Sequence, residues 1–373
     1  MKIGINLVWL RPKEMGGLES YVRNLFKGFA AINDPELEFI IFLASDNYCY
    51  VQEFETNPHF HYVCCPVSSK IKIFAMLYQM FCLDRKASEL GCVCLYLPTP
   101  IYPLLKGRVP VIVTIHDLQF LHFPSYANTL QRMKYKWCWS KCISNSARII
   151  TISRYTEADV LAHFACAAGK TITIYNPIDI EQNISNASKP RLGFAEDYLY
   201  TITSSAPHKH NEMLLEILLE IHRSGEWALP KKLVITGLRE DRDRTFFDQV
   251  CNLDLNDFIA TTGYINNKDR DSLIKNAYAF IFVSQFEGFG MPPVEAMILG
   301  TPAITTRCAS LPEVTNNLAN YVDDPNSAKE WVQQLRNVGT SSRINYAFPE
   351  YSLATVAEKF ASLIKEIASL GVL

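Results

Sequence analysis

Short apolar runs alternate along this chain with longer stretches whose apolar residues recur every three or four positions. Lys2–Trp9 reads as a strand. Leu18, Tyr21, Val22, Leu25, Phe26 and Phe29 then follow a helical period and predict an amphipathic helix against a sheet. Further strands are predicted at 39–43, 61–64, 93–97, 109–115, 147–152 and 170–175. Helices are predicted at 70–90, at 125–145 behind Pro124, and at 155–163. In the first of these, Ile73, Leu77, Met80, Phe81 and Leu83 are expected to populate an apolar side. Strand and helix alternating in this way predict a parallel, doubly wound α/β domain over 1–176. Asn176-Pro177-Ile178-Asp179 and the polar run after it read as a linker, 177–196. The alternation restarts over 197–350, with strands at 198–203, 232–236, 277–283 and 303–306 and helices at 211–223 and 268–276. It ends in an amphipathic helix within 351–373, whose apolar side carries Leu353, Val356, Phe360, Leu363, Ile364 and Ile367.

At 373 residues and 49% hydrophobic the chain can bury two cores. A net charge of -2 gives no global basic field, which argues against a nucleic-acid partner. Eleven cysteines are scattered, odd in number and without a CxxC pair, so they read as reduced thiols of a cytoplasmic protein. Cys92-Val93-Cys94 is too closely spaced for a zinc pair and is expected to alternate across a strand. No run approaches the roughly 20 apolar residues of a membrane-spanning helix. The N-terminus begins as a strand and not as a secretory leader.

The chemistry concentrates at Gln285 to Gly300. A strand, 277–283, leads into Glu287-Gly288-Phe289-Gly290-Met291-Pro292-Pro293-Val294-Glu295, and a second strand begins near Ala303. Prolines fit a first helical turn, and Gly300 sits where a helix takes a left-handed terminator. N–H groups of the loop and first turn would face an anion. Glu295 near a helix start also has a plainer explanation, complementing the macrodipole. Gly16-Gly17, just before the first helix, is a second candidate anion site or only a turn. His116-Asp117 closes a strand at the sheet edge where open α/β folds bind ligands, although a buried structural histidine fits equally. Two such halves joined by a linker are expected to leave a cleft between the carboxyl ends of their sheets.

Leu118 to Thr156 contains no acidic residue. Arg132, Lys134, Lys136, Lys141, Arg148 and Arg154 are interleaved there with Tyr126, Tyr135, Trp137 and Trp139. The segment is either a solvated basic face or, over 125–154, a peripheral contact with anionic lipid or a pyrophosphate headgroup. Asp241-Arg242-Asp243 and Asp269-Arg270-Asp271 imitate acidic metal triplets. Both are read as solvated, charged helix faces.

The paired glutamates with their glycine loop, Gly300-Thr301-Pro302, and Leu311-Pro312-Glu313-Val314 closely resemble the donor-site signature of the retaining glycosyltransferases of family 4, which have the GT-B fold. Gly16-Gly17-Leu18-Glu19-Ser20-Tyr21 is similar to that family's N-terminal glycine loop. Thr114-Ile115-His116-Asp117-Leu118 is similar to its histidine motif, and Gly263-Tyr264 to its base-proximal turn. The resemblance implies two Rossmann-like domains facing across a cleft: an acceptor domain over 1–176, a nucleotide-sugar domain over 197–350, and a last helix returning to the first domain. It implies that Glu295 holds the ribose hydroxyls and that Glu287 faces the donor sugar. Backbone N–H groups of Phe289, Gly290 and Met291, beside Gly288, would contact sugar or phosphate, and His116 would reach the sugar. Gly16 and Gly17 would let the backbone approach the pyrophosphate. Tyr264 would lie near the base.

One departure stands out. The family commonly places an arginine and a lysine on the first loop of the second domain. Here Lys209 matches the lysine, while Thr203, Ser204 or Ser205 stands where the arginine would be. Lys209, the loop amides and helix N-termini would stabilise the diphosphate leaving group. No metal or other cofactor is expected, because helix dipoles can do a metal's work and no ligand cluster is apparent. The implied function is transfer of a hexose, leaning to mannose from GDP-mannose, to a hydroxyl of a saccharide acceptor. The acceptor is read as lipid-linked, at the cytoplasmic membrane face, in surface-polysaccharide or O-antigen assembly. A sugar-nucleotide epimerase and a non-catalytic sugar-nucleotide-binding partner subunit remain the alternatives.

Overall fold

The computed structural model describes residues 1–11, 16–100, 105, 107–123, 128–180, 196–225, 228–340 and 342–370. The chain divides into two units. Met1–Asp179 with Pro349–Leu373 forms the first and Ile180–Phe348 the second. Most of the expected linker, residues 181–195, lies outside the described residues.

In the first unit the strands are β1 (Lys2–Asn6), β2 (Glu38–Ala44), β3 (Phe60–Cys65), β4 (Cys92–Leu97), β5 (Val111–Ile115), β6 (Arg148–Thr151) and β7 (Thr171–Thr173). They form a parallel sheet in the order β3-β2-β1-β4-β5-β6-β7. The order reverses beside β1, the topological switch of a doubly wound sheet. Along β2, Phe39, Ile41 and Leu43 pack into one core, while Ile40, Phe42 and Ala44 pack into another on the opposite face. A strand buried on both faces reads as a continuous apolar run for this reason. A register shift between β1 and β4 sends Cys92 to one face and Cys94 to the other, against the same-face placement that simple alternation gives.

The first core is closed by α1 (Gly17–Ile32) and by the last helix, here α13 (Leu353–Leu370). Val356, Phe360, Leu363, Ile364 and Ile367 of α13 are buried there, and Phe360 meets Phe29 and Tyr96 edge-on at 5.8 and 5.1 Å. Gly28 makes this approach possible, since a Cβ there would lie 2.6 Å from the Leu353 carbonyl oxygen. Ile178 bridges Ser352 as a parallel pair, Asn24 Nδ2 donates to the Pro177 carbonyl at 2.9 Å, and Lys27 pairs with Asp179 at 2.6 Å.

The opposite face is covered by α2 (Lys72–Tyr78), a π-helical turn (Gln79–Leu83), α3 (Asp84–Glu89), α4 (Gln119–His122), α5 (Thr129–Asn145) and α6 (Arg154–His163). The structure refines two expectations in this layer. Residues 72–89 are helical, but their inward positions are Ala75, Gln79, Leu83 and Ala87. Ile73, Leu77 and Phe81 face outward, at 54%, 39% and 61% exposure. The sheet here accepts small residues, and the π turn inserts Gln79, which accepts from Asn6 Nδ2 and donates to the Ala75 carbonyl, both at 2.8 Å. The helix expected at 125–145 starts at Thr129, where Asn128 and Gln131 form a reciprocal capping box; residues 124–127 lie outside the described residues.

The second unit holds β8 (Tyr198–Ile202), β9 (Lys232–Thr236), β10 (Ile259–Gly263), β11 (Ala279–Phe282), β12 (Ala303–Thr306) and β13 (Asn320–Val322), parallel in the order β10-β9-β8-β11-β12-β13. Helices α7 (Glu212–Arg223), α8 (Arg244–Asn252) and α12 (Ala328–Gly339) cover one face, with Trp331 fully buried among them. The remaining helices are α9 (Asn267–Asn276), α10 (Met291–Ile298) and α11 (Leu311–Val314). Two separately cored, parallel, Rossmann-like sheets constitute the GT-B fold.

Candidate active site

The glycine loop between β11 and α10 is held from three sides. Ser310, fully buried ahead of α11, places its hydroxyl 2.8 and 2.9 Å from the carbonyls of Glu287 and Phe289. Thr306 Oγ1 donates to the Ser284 carbonyl at 2.8 Å, and Gln285 N donates to the His208 carbonyl at 2.8 Å. That last bond ties this loop to the loop after β8. Gly290 has φ +89°, a left-handed conformation that favours glycine, and a Cβ on it would lie 2.6 Å from Leu311 Cδ2, which would have to move aside. At the far end of α10, Gly300 N donates to Met297 O and Thr301 N to Ala296 O, with Gly300 left-handed at φ +78°. This is a Schellman terminator.

The consequence of the tied loops is a close ion pair. Lys209 Nζ lies 2.6 Å from Glu287 Oε1 and 5.0 Å above the Phe282 ring, with both charged side chains less than a fifth exposed. An ammonium carries three donors, so one is committed to Glu287. His208, buried beside them, is held down at about 4. Burial disfavours its charge, Glu287 opposes that effect, and Lys209 reinforces it. Ser204 and Ser205 are exposed on the same loop, where Asn211 Nδ2 donates to the Ser204 carbonyl at 2.7 Å.

Glu295 lies in the second turn of α10, beyond the reach of first-turn macrodipole effects, and is 4% exposed. Its counter-charge is Arg270 of α9. The guanidinium Nη2 is 3.4 Å from Glu295 Oε1 and 2.7 Å from Asp271 Oδ1, and Nε donates to the same Asp271 oxygen at 2.8 Å. Burial works against the charge on Arg270, but Glu295 and Asp271 more than restore it. The expectation of a solvated face at Asp269–Asp271 holds for the exposed Asp269 and fails for Arg270 and for Asp271, which is 2% exposed. The signal was in the spacing, since Arg270 precedes the buried Leu273 and Ile274 by three and four residues. At Asp241–Asp243 the solvated reading holds, with Asp241 and Arg242 exposed, but the segment is not helical. It forms a turn before α8, where Arg239 pairs with Asp241 at 2.8 Å and its N–H donates to Asp243.

Prolines at the second and third positions of α10 carry no N–H. The helix start thus offers an anion fewer donors than an ordinary one. Lys209 matters more for this reason. Gly288, Phe289 and Gly290 are buried, Met291 is partly buried, and Tyr264, just after β10, is 64% exposed.

The first unit carries the remaining candidates. Gly16 precedes α1 with φ +53° and, like Gly17, is exposed; a Cβ on Gly16 would meet nothing within 4 Å. His116 follows β5 directly. Its Nε2–H donates to the Pro98 carbonyl at 2.8 Å, which leaves Nδ1 as an acceptor. Its ring meets Tyr21 of α1 edge-on at 4.8 Å, which brings the histidine to the helix that Gly16-Gly17 begins. Burial lowers its pKa to about 4, against the opposing Pro98 hydrogen bond, so the ring is neutral near pH 7.

Comparison with known proteins agrees with this architecture. Residues 15–182 match the model of "Glycosyltransferase Family 4" and residues 188–351 that of "Glycosyl transferases group 1". The chain belongs to the family 4 glycosyltransferases and is a hexosyltransferase. It is 25% identical over 269 residues to the O-antigen chain mannosyltransferase RfbU of Salmonella typhimurium, covering 71% of each chain. It is 26% identical over 223 residues to O-antigen chain mannosyltransferase B of Escherichia coli, covering 58% of this chain and 57% of that one. Among solved structures it resembles a sucrose-phosphate synthase of Thermosynechococcus elongatus, with TM-score 0.71, 16% identity, and 99% and 97% of the two chains covered. It also resembles Anabaena HepE in complex with UDP and glucose, with TM-score 0.68, 17% identity, and 98% and 100% covered.

Proposed function

We propose that this glycosyltransferase moves mannose from GDP-mannose, with retention at the anomeric carbon, to a hydroxyl of a lipid-linked saccharide in surface-polysaccharide or O-antigen assembly. The observation that carries the reading of the site is the pair of carboxylates on one short loop and helix, each with its own cation: Glu287 with Lys209, Glu295 with Arg270. The mannosyl lean is supported by the named relatives, two of which act on O-antigen chains.

Cleavage of the sugar–phosphate bond leaves negative charge on the diphosphate and positive charge on the sugar ring. Lys209 is the cation for the first, and its pairing with Glu287 holds it in place and largely buried. The diphosphate, carrying more charge than one carboxylate, competes for the ammonium. Glu287 then lies free to face the sugar. Glu295 accepts from the ribose hydroxyls, oriented by Arg270. His116 offers Nδ1 as an acceptor for a sugar hydroxyl. The reading requires no metal, because Lys209 and the loop amides carry the positive charge. Ser204 and Ser205, exposed and hydroxylic, replace the family's arginine with neutral donors.

The test is a melting-temperature screen of the purified protein over GDP-, UDP- and dTDP-sugars, followed by anomeric analysis of the product by NMR. GDP-mannose should give the largest rise in Tm and an axial product linkage. A larger rise with a UDP-sugar, or an inverted product, overturns the reading. Glu295→Ala should cut transfer by about a hundredfold or more. Its melting temperature should change little, since Arg270 keeps Asp271 as a partner. Full activity in that variant removes the site assignment.

A further inference from the structure

The helical layer over one face of the first unit's sheet is apolar on its outer side. Ile71, Ile73, Phe74, Leu77 and Phe81 are between 39% and 61% exposed, and Ile71, Phe74, Leu77 and Phe81 line, with Pro66, a groove of about 510 Å³. A second helix of the layer, α5, exposes Leu130, Met133 and Trp137 at 78%, 64% and 54%. Both segments pack their inner sides into the same core, through Ala75, Leu83 and Ala87 from one and Cys142 and Ile143 from the other. Their outer sides therefore look away from the same face of the sheet. So much large apolar surface on one face is rare on a water-soluble surface and marks a docking site.

The charge around it selects the occupant. Lys70 and Lys72 are exposed at the start of the apolar face, and Lys134, Lys136 and Lys141 are exposed along α5, in a segment without an acidic residue. The acids at the other end of the apolar face are engaged. Asp84 accepts from the backbone N–H groups of Arg108 and Val109, and Glu89 pairs with Arg85 at 3.4 Å. A second copy of this chain would bring lysine fringes against each other, which is repulsive. A layer that is apolar at its centre, basic at its rim and carries Trp137 and Tyr135 at the boundary fits an anionic bilayer surface.

We infer that residues 71–81 are the part of this protein that enters the headgroup boundary of an anionic membrane, with α5 as the electrostatic rim. The basic segment alone would give only salt-sensitive attraction, and the apolar groove supplies the area that holds. The inference deepens the lipid-linked acceptor reading by naming the surface that would meet the lipid.

The test uses the full chain with vesicles of phosphatidylcholine alone or with about 30 mol % phosphatidylglycerol. Flotation should recover the protein with the anionic vesicles only, and Trp137 fluorescence should shift to the blue. The variant Ile73→Ser/Phe74→Ser/Phe81→Ser should lose vesicle partition by about tenfold or more at any salt. Lys134→Glu/Lys136→Glu should weaken it chiefly at low salt. Partition of the triple-serine variant equal to wild type overturns the inference, as does equal binding to neutral vesicles. A dimer by sedimentation velocity that the serine variant disperses, without vesicle binding, also overturns it. Transfer to a water-soluble saccharide acceptor should be unchanged in the serine variant. If wild type binds anionic vesicles but transfers nothing, the functional reading fails and the surface stands.

Discussion

The α9–α10 wall of the second unit and the α2–α5 layer of the first break the same rule in opposite directions. In the wall, charge is inside: Arg270, Asp271 and Glu295 are nearly out of solvent, and Lys209 with Glu287 almost so. In the layer, large apolar groups are outside. Each inversion carries a stability cost that ordinary packing would avoid. The wall limits that cost by pairing every buried charge at close range, and Asp271 exists in the fold to hold Arg270 as much as Arg270 holds Glu295. The layer instead leaves its surface uncovered. The wall proposed to take a small polar ligand closes on itself through ion pairs, while the layer proposed to meet an extended partner keeps its apolar surface open.

Arg270→Leu is the sharpest way to break the first half of this contrast. It removes the guanidinium that the buried carboxylates of Asp271 and Glu295 share. Losing one partner of a buried pair typically costs about 3–5 kcal/mol. Donor KM should rise by about tenfold because Glu295 loses its orientation, with a smaller change in kcat. Arg270→Lys should recover part of the KM, since one cation returns without the two-point grip. An unchanged KM in Arg270→Leu would show that Glu295 does not need this partner.

The second effect is on pH. His116 and His208 each fall to about 4 from an ordinary 6.5, mainly because burial disfavours the charged ring. A depressed histidine pKa means that the unfolded chain takes up a proton that the native state refuses. Stability is therefore fully present above about pH 6.5 and is lost as pH falls toward 4, by up to about 3 kcal/mol per site. Melting temperatures between pH 7.5 and 4.5 should show this slope. His208→Gln should flatten it in part, and an identical slope in that variant would remove His208 as a source.

Much of this was legible in the sequence, for identifiable reasons. Strands buried on both faces cannot avoid reading as apolar runs, and the left-handed turn at Gly290 favours glycine. Glu287 and Glu295 fell on the loop and helix where the spacing put them. Three things were hidden. The apolar positions of 73–81 matched a helical period, but period says only that a face exists, not which side the sheet takes. Ala75, Gln79 and Ala87 won the inner side because β2 and β4 already fill it with Phe42 and Leu95. Arg270 and Asp271 carry charge, which signals a solvated face, and only their spacing to the buried Leu273 and Ile274 points inward. Ser310, which holds the glycine loop by its carbonyls, carries no signal in a single sequence beyond its place before Leu311-Pro312.

The smallest expected effect tests the other half of the contrast. If Phe74 and Phe81 serve a partner and not the fold, replacing them removes little native packing, because 60% and 61% of each is already in water. Surface substitutions away from packed features stay within about 0.5 kcal/mol. Phe74→Ser and Phe81→Ser should therefore leave the urea midpoint nearly unchanged, with the same slope. Phe42→Ser, on β2 in the core beneath the same layer, should cost several times more, about 3–5 kcal/mol. A loss for Phe81→Ser approaching that of Phe42→Ser would mean that the groove is part of the core, and the apolar layer would no longer be an inversion of the buried-charge wall.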